Sequence, residues 1–348
     1  MNAEPTAITQ FSLQDLPEQD RFPVWKESIS VIFDVDWADS HLPNGFDARL
    51  VSAHLGHLLL VETTSVGQAF NRPENRIRQD GIDHCLIQIY LEGSTRGIWG
   101  DKTHSVARPG DVLFLDTAQT VRSETSDFRN LTLLVPRTLL VPHLGTPESF
   151  HGCILPRDSA PGRLLGEHLR LLWELVKTTP AAEAQIIGLG LLDLIGRYFG
   201  GVYPKGNHEN SPRMNLAVRE MIRIHIEQVL ELPVLSADYL SGRFGLSRSS
   251  LYNLFKPLGG ISGYIQNRRL LRAHVCLLST EPQARNITDM ALRMGFSDLS
   301  HFSRAFRKKF GYSPSEVHMY RRSPSTGLYP DRSDRVDRSY EDWVRELG

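Results

Sequence analysis

Cysteine is scarce in this chain of 348 residues: Cys85, Cys153 and Cys276 form no CxxC and are an odd number. That excludes a disulfide framework and a zinc ribbon, and each thiol reads as a small buried apolar residue. No stretch approaches the roughly 18 uninterrupted apolar residues of a membrane-spanning helix. The start, Met1-Asn2-Ala3-Glu4, lacks the basic-then-apolar order of a signal peptide, so the cytoplasm is the expected compartment and no membrane partner is expected. A His-x-His pair is missing as well. His54-Leu55-Gly56-His57 has the wrong spacing for two rings on one strand face, and His84 has no histidine two residues away. No metal and no cofactor are therefore expected, and His84 and His104 read as ordinary strand or turn residues.

With 41% apolar, 23% charged and 9% aromatic residues, the composition is that of a globular protein, and the length suits two domains. The formal net charge is only −1, but it is unevenly spread. Residues 1–212 hold 18 Lys+Arg against 26 Asp+Glu, residues 213–322 hold 17 against 8, and residues 323–348 hold 4 against 6. A block of 110 residues at +9 inside a neutral chain is the footprint expected where phosphates are neutralised, since counterion release drives such binding.

The stretch from Val202 to Pro212 is polar and without periodicity, and reads as a linker. It divides the chain into a domain at 1–201, a linker at 202–212, a basic domain at 213–322 and a polar tail at 323–348. Before the linker, two apolar runs at helical spacing, about Gly162 to Thr178 and Ala181 to Phe199, form a helical hairpin around Thr179-Pro180. The first places Leu164, Leu165, His168, Leu171, Leu172 and Leu175 on one broad face. The second is apolar over most of its circumference, which suits either an internal core or a dimer interface. Upstream, about residues 46–136 are strand-like, with runs at 58–61, 86–91, 94–99, 112–115 and 131–135 separated by Glu92-Gly93, Gly100-Asp101 and Arg108-Pro109-Gly110-Asp111. Short strands at such intervals suggest a small antiparallel barrel or sandwich able to hold a ligand. Arg21 to Trp37 is expected as a helix or extended cover packed on it.

The basic block contains a repeat. Gly245-Leu246-Ser247 and Gly295-Phe296-Ser297 lie 50 residues apart. Nine residues before each glycine stands a polar N-cap, Ser236 or Asn286, that opens a short helix. After each turn a second helix carries apolar residues four apart, Leu251 with Phe255 and Phe302 with Phe306. These are two helix-turn-helix units. A helix from about Ser262 to Leu278, about 25 Å long at 1.5 Å per residue, separates them by roughly one turn of DNA.

From Ile287 to Pro314, ITDMALRMGFSDLSHFSRAFRKKFGYSP, the chain resembles the AraC/XylS family of bacterial transcription regulators. The resemblance extends over about residues 213–322 and departs from the family pattern at Ala237 and Ser241. It implies an all-α domain whose two recognition helices enter successive major grooves. By the helical geometry and by similarity, the base-reading positions are Ser249, Tyr252 and Asn253 on the first helix and Ser300, His301 and Arg304 on the second. Arg304 is the leading candidate, because a guanidinium can bond guanine O6 and N7 together. Arg248, Arg307, Lys308 and Lys309 read as phosphate contacts, with Lys309 equally readable as a solvated lysine. A looser resemblance, carried by Tyr90 to Ser94 through Arg108 to Asp116 and preceded by Arg21-Phe22-Pro23-Val24-Trp25, is to the cupin-like effector-binding domain often fused to this DNA-binding domain.

The fold class expected is thus α+β in two domains: an N-terminal antiparallel, cupin-like β-barrel with a helical hairpin, and a C-terminal all-α domain with two helix-turn-helix units. The function expected is a ligand-responsive, sequence-specific DNA-binding regulator, of activator type, and not an enzyme. Its partners would be double-stranded DNA, a small-molecule effector, RNA polymerase and a second copy of the chain. The alternative is a cupin-type enzyme with an accessory DNA-binding domain. A DNA alkyl-repair protein would need a reactive thiolate in a cysteine cluster, and no such cluster is present.

Overall fold

The strands expected from the apolar runs are all found, and their period-two alternation sorts them between two cores. The computed structural model describes residues 5–37, 45–99, 105–202, 211–278, 286–317 and 336–347. The first part of the chain runs β1 (Ile8–Ser12), α1 (Glu18–Ile29), β2 (Asp34–Trp37), β3 (Ala48–His54), β4 (Leu59–Ser65), β5 (Gln68–Arg72) and α2 (Glu74–Asp80). It continues through β6 (Cys85–Glu92), β7 (Thr95–Trp99), β8 (Ser105–Ala107), β9 (Val112–Asp116), β10 (Val121–Thr125), β11 (Phe128–Val135), α3 (Arg137–Leu144), β12 (Cys153–Leu155), α4 (Ala160–Val176) and α5 (Ala181–Val202).

Among the described residues the ladders form two antiparallel sheets, ordered β1-β3-β4-β11-β6-β9-β12 and β2-β5-β10-β7-β8. The expected barrel is therefore laid out as two sheets. On β11, Leu131, Leu133 and Val135 join Ile87 and Ile89 of β6 in a core covered by α3, α4 and α5, while Phe128 and Leu134 face the second core with Leu86 and Tyr90. That second core draws on strands of both sheets and on Trp25 of α1. The turn between β6 and β7 requires Gly93: its φ is +71°, and a Cβ there would lie 2.0 Å from the Asp127 carbonyl oxygen. The Gly100-Asp101 turn and His104 lie outside the described residues. The segment Arg21 to Trp37 divides into α1 and β2.

In the hairpin the broad apolar face of α4 splits in two. Leu165, Leu169, Leu172 and Val176 are buried, whereas Leu164, Leu171 and Leu175 are exposed. Spacings of 3 and 4 put the first set on the sheet side and the second on another face.

The second part comprises α6 (Ser211–Gln228), α7 (Ala237–Phe244), α8 (Arg248–Phe255), α9 (Ile261–Leu278), α10 (Ile287–Arg293) and α11 (Leu299–Phe310). Residues 314–317 are also helical. Both ends of the stretch expected as a linker are helical, since α5 runs to Val202 and α6 starts at Ser211; residues 203–210 lie outside those described. The chain divides into two compact units, one of residues 1–73, 82–209 and 335–347 and the other of residues 74–81 and 210–334. Helix α2, between β5 and β6 in the chain, belongs to the second unit.

The polar tail departs from expectation. It ends in α12 (Ser339–Glu346), which belongs to the first unit. Tyr340, Val344 and Leu347, spaced four and three apart, bury one stripe in the core between the sheets.

Candidate nucleic-acid interface and effector cavity

Each helix-turn-helix unit is assembled by the same local devices. The Ser236 side chain caps α7 by accepting from Tyr239 N, and Asn286 caps α10 by accepting from Thr288 N (3.0 Å) and Asp289 N (3.2 Å). Gly245 ends α7 in the left-handed region at φ +64°, and Gly295 holds φ +71° at the matching place. Ser247 and Asp298 then cap the recognition helices α8 and α11, accepting from Ser250 N and His301 N.

On α8 the side chains of Leu251 and Phe255 are fully buried, and on α11 those of Phe302 and Phe306 are too. The opposite faces are open. Ser249, Tyr252 and Asn253 on α8 and Ser300, His301 and Arg304 on α11 are all exposed. Tyr252 rests its hydroxyl near Ser262 Oγ (3.3 Å), Ser249 Oγ lies 2.9 Å from Ser247 Oγ, and His301 sets its ring edge-on to Phe296 at 5.4 Å. Arg248, Arg307 and Lys308 are exposed, with Arg248 paired to Asp238. Lys309 differs from the other three: it is half-buried, and its ammonium donates to the carbonyls of Gln79 and Asp80 at the end of α2.

The +9 of this block is also partly internal. Arg268 is buried against Glu227 (2.6 Å), with Arg272 at 3.7 Å, and Arg293 pairs with Glu231 at 2.8 Å. Burial pushes the Glu227 carboxyl up, but Arg268 and its neighbours bring it below its ordinary value. The Glu227 pairs fix α9 to α6 and the Glu231 pair ties α10 to the segment after α6, so the charge left to meet a polyanion sits largely on the outer faces.

The first unit contains a cavity, as a ligand-holding barrel or sandwich leads one to expect, but no motif in the sequence announced the residues that line it. Its volume is about 80 Å³, and its mouth is open. Trp25, Phe70, Leu134 and Tyr340 give it apolar sides, and Gln88, Asn130 and Thr132 give it a polar patch. The patch follows from strand register: Thr132 pairs with Gln88 and Asn130 with Tyr90 across β11 and β6. Gln88 Nε2 donates to Thr132 Oγ1 (3.0 Å). The Asn130 side chain is hydrogen-bonded to the Tyr90 phenol, while its Oδ1 is buried with no partner among the described residues. Burial pushes the Tyr90 phenol up to about 12.

Among the described residues, no group of three or more His, Cys, Asp or Glu is placed to hold a metal ion. Nor is any described helix long and apolar enough to cross a membrane.

Two capped helix-turn-helix units joined by one linking helix, with polar and basic recognition faces, define a sequence-specific DNA-binding transcription regulator, and the sheet domain in the same chain makes it ligand-responsive. Known proteins agree. Residues 240–320 match a helix-turn-helix domain model, and residues 27–197 match that of an AraC-binding-like domain. The XylDLEGF operon transcriptional activator of Pseudomonas putida is 31% identical over 268 residues, covering 70% of this chain and 77% of that one. The transcriptional activator NphR of a Rhodococcus species is 23% identical over 322 residues, 88% of this chain and 92% of the relative. The crystal structure of the AraC-like transcriptional activator CuxR superposes with a TM-score of 0.56 at 25% identity, covering 83% of this chain and 99% of that one. The chain belongs to the AraC/XylS family of transcription regulators.

Proposed function

We propose that this protein is a transcription activator that binds DNA as a homodimer in the cytoplasm, contacts RNA polymerase there, and takes its effector in the cavity between the two sheets. Activation is the role named for the XylDLEGF operon activator, NphR and CuxR. The observation that carries the DNA half is the division of α11: its phenylalanines are buried while Ser300, His301 and Arg304 stand together on the open side. In this reading those three and Ser249, Tyr252 and Asn253 meet base edges. Arg248, Arg307 and Lys308 meet phosphates and fix the register without reading sequence. Lys309 adds to that set only by leaving the carbonyls it now holds.

Dimerisation is supported by α4. Leu164, His168, Leu171 and Leu175 form a stripe spaced four, three and four, the pattern of a two-helix seam, and Leu171 is 59% exposed. The test of the whole reading is selection of duplexes from genomic fragments by the full-length protein. The expected result is enrichment of a bipartite site, with affinity falling steeply as salt rises. Enrichment of no common sequence would contradict it.

A further inference from the structure

Helix α2 has little apolar anchorage. It has seven residues, of which Ile77 alone is buried. A helix that short does not persist by itself in water, so its fold depends on what caps it. The last four carbonyls of any helix lack a partner within it, and in α2 all four are satisfied from outside. Ile77 O accepts from Gly81 N (3.3 Å), and Arg78 O accepts from Asn267 Nδ2 of α9 (2.9 Å). Gln79 O and Asp80 O accept from the Lys309 ammonium of α11, which also sets a positive charge at the negative end of the helix. Gly81 closes the helix at φ +64°, and a Cβ there would lie 3.1 Å from Asn267 Cβ, so the fit is close.

Both ends of α2 run into strands that wall the cavity. Phe70 of β5 and Leu86 of β6 line it, on either side of the helix in the chain. Arg72, fully buried at the end of β5, donates to the carbonyls of Ile32, Thr117 and Ile82. The bond to Ile82 (3.0 Å) closes the stem from which α2 projects, so the strands on either side are held without the helix.

Lys309 cannot serve α2 and a phosphate at once. An ammonium has three N–H donors, and Gln79 O, Asp80 O and Asn267 Oδ1 (3.4 Å) take them. Arg307 and Lys308, in the same last turn of α11, are exposed. With α2 docked, Lys309 is withdrawn from that basic turn. With α2 gone, it is a third cation there, and a phosphate offers it charged acceptors in place of neutral ones.

We propose that α2 is an autoinhibitory clip: docked on Asn267 and Lys309, it withholds one phosphate contact from the second recognition helix, and its release gives that contact back. The inference rests on the reading of α11 as a helix that meets DNA. It makes Lys309 a residue with two exclusive partners.

The experiment measures how binding to a duplex selected by the wild type depends on salt. Four variants of the full chain are compared with it, each first shown by circular dichroism to be folded. In one, residues 74–80 are replaced by a Gly-Ser turn. The second is Gly81→Val, since a β-branched residue does not hold the left-handed backbone that closes α2. The other two add Lys309→Gln to each of these. One phosphate contact contributes about 0.9 to the slope of log K against log salt. Replacing α2 should therefore steepen the slope by about one and tighten binding roughly five- to tenfold at about 0.1 M salt, and Gly81→Val should act in the same direction. Adding Lys309→Gln should return both slopes to the wild-type value.

A slope left within about 0.3 of the wild type's by the replacement, or by Gly81→Val should the replacement not fold, overturns the clip. So does a steeper slope that survives Lys309→Gln. Either result leaves the DNA reading intact. That reading fails on a separate result, a wild type that selects no common duplex, and the clip falls with it.

Discussion

Phe306→Ala probes whether the second recognition helix is held by its aromatic core rather than by anything on its outer face. The Phe306 ring is fully buried, with centroids 5.6 Å from Phe302, 4.5 Å from Phe310, 5.9 Å from His274 and 6.2 Å from Tyr312. Removing it exposes no new polar group, so the cost is lost apolar burial and the void left behind. Burial of a phenylalanine side chain is worth up to about 3 kcal/mol, and lost ring pairs add about 0.5 to 1.5 kcal/mol each where they do not relax. Neighbours relax in part, so the expected loss is about 3 to 5 kcal/mol. Urea unfolding of the full chain, followed by amide exchange in α11, measures it. Exchange protection in α10 and α11 should fall together, while protection in β6 and β11 of the first unit should not change. Phe306→Leu keeps most of the volume and should retain most of the stability. A Phe306→Ala protein within about 0.5 kcal/mol of the wild type in α11 would refute the assignment of this ring to the core.

Three other outcomes are expected. Asn286→Ala removes a cap that serves two backbone donors and should cost the second unit about 1 kcal/mol, read as lower exchange protection at the start of α10. Leu171→Glu puts a charge into the α4 stripe and should convert a dimer to a monomer in sedimentation at micromolar concentration while leaving the fold intact; a variant still dimeric would remove α4 from the interface. In the first unit, Arg137 (2% exposed) lies between the buried carboxylates of Asp116 and Glu148. Burial pushes the Asp116 carboxyl up, but Arg137, His151 and the Ala118 N–H bring it below its ordinary value. Its stabilising contribution is therefore complete above about pH 4 and is lost as pH falls through the folded-state pKa. Arg137→Leu should cost about 3 to 5 kcal/mol at pH 7, with the deficit shrinking as pH falls, because burial without the guanidinium pushes the Asp116 carboxyl up and it takes up a proton before the wild-type group does. A deficit independent of pH in thermal unfolding would show that Arg137 acts by packing alone.

The helix-turn-helix half was open to reading because its signals are local: a cap, a left-handed glycine and two apolar residues four apart lie within about 20 residues of one another and determine the fold of that stretch. Strands β4, β6, β9 and β11 were equally plain from their β-branched and aromatic runs. A ligand-holding interior was expected, but the residues that line the cavity were not legible, for a physical reason. Asn130 and Thr132 alternate with Leu131 and Leu133, and in a single sequence that alternation is the pattern of a strand with one face in water. Here the polar face looks into a cavity, and nothing local distinguishes the two. Helix α12 was missed although Tyr340, Val344 and Leu347 form a helical stripe, because its partners Ser28, His54 and His84 are some 250 to 310 residues away. The charged helix α2 has no apolar periodicity to announce it, and Lys309, which holds the end of α2, read as a phosphate anchor for the same reason. The face of α4 was seen but not its division, since an apolar residue at a core-facing position and one at an exposed position look alike in sequence.

The central claim is that α11 reads bases with Arg304 and holds phosphates with its neighbours, and affinity measured across single-base variants of a selected site tests it most directly. Arg304 is exposed, two residues from each of the buried rings of Phe302 and Phe306. Arg304→Ala should cost about 1 to 3 kcal/mol on the best site and flatten the preference at one or two base pairs in one half of it. Lys308→Ala should weaken all variants alike and lower the salt slope by about one. If Arg304→Ala instead lowers every affinity by the same factor and leaves the preference profile intact, Arg304 is a phosphate anchor and the account of how this protein reads DNA is contradicted.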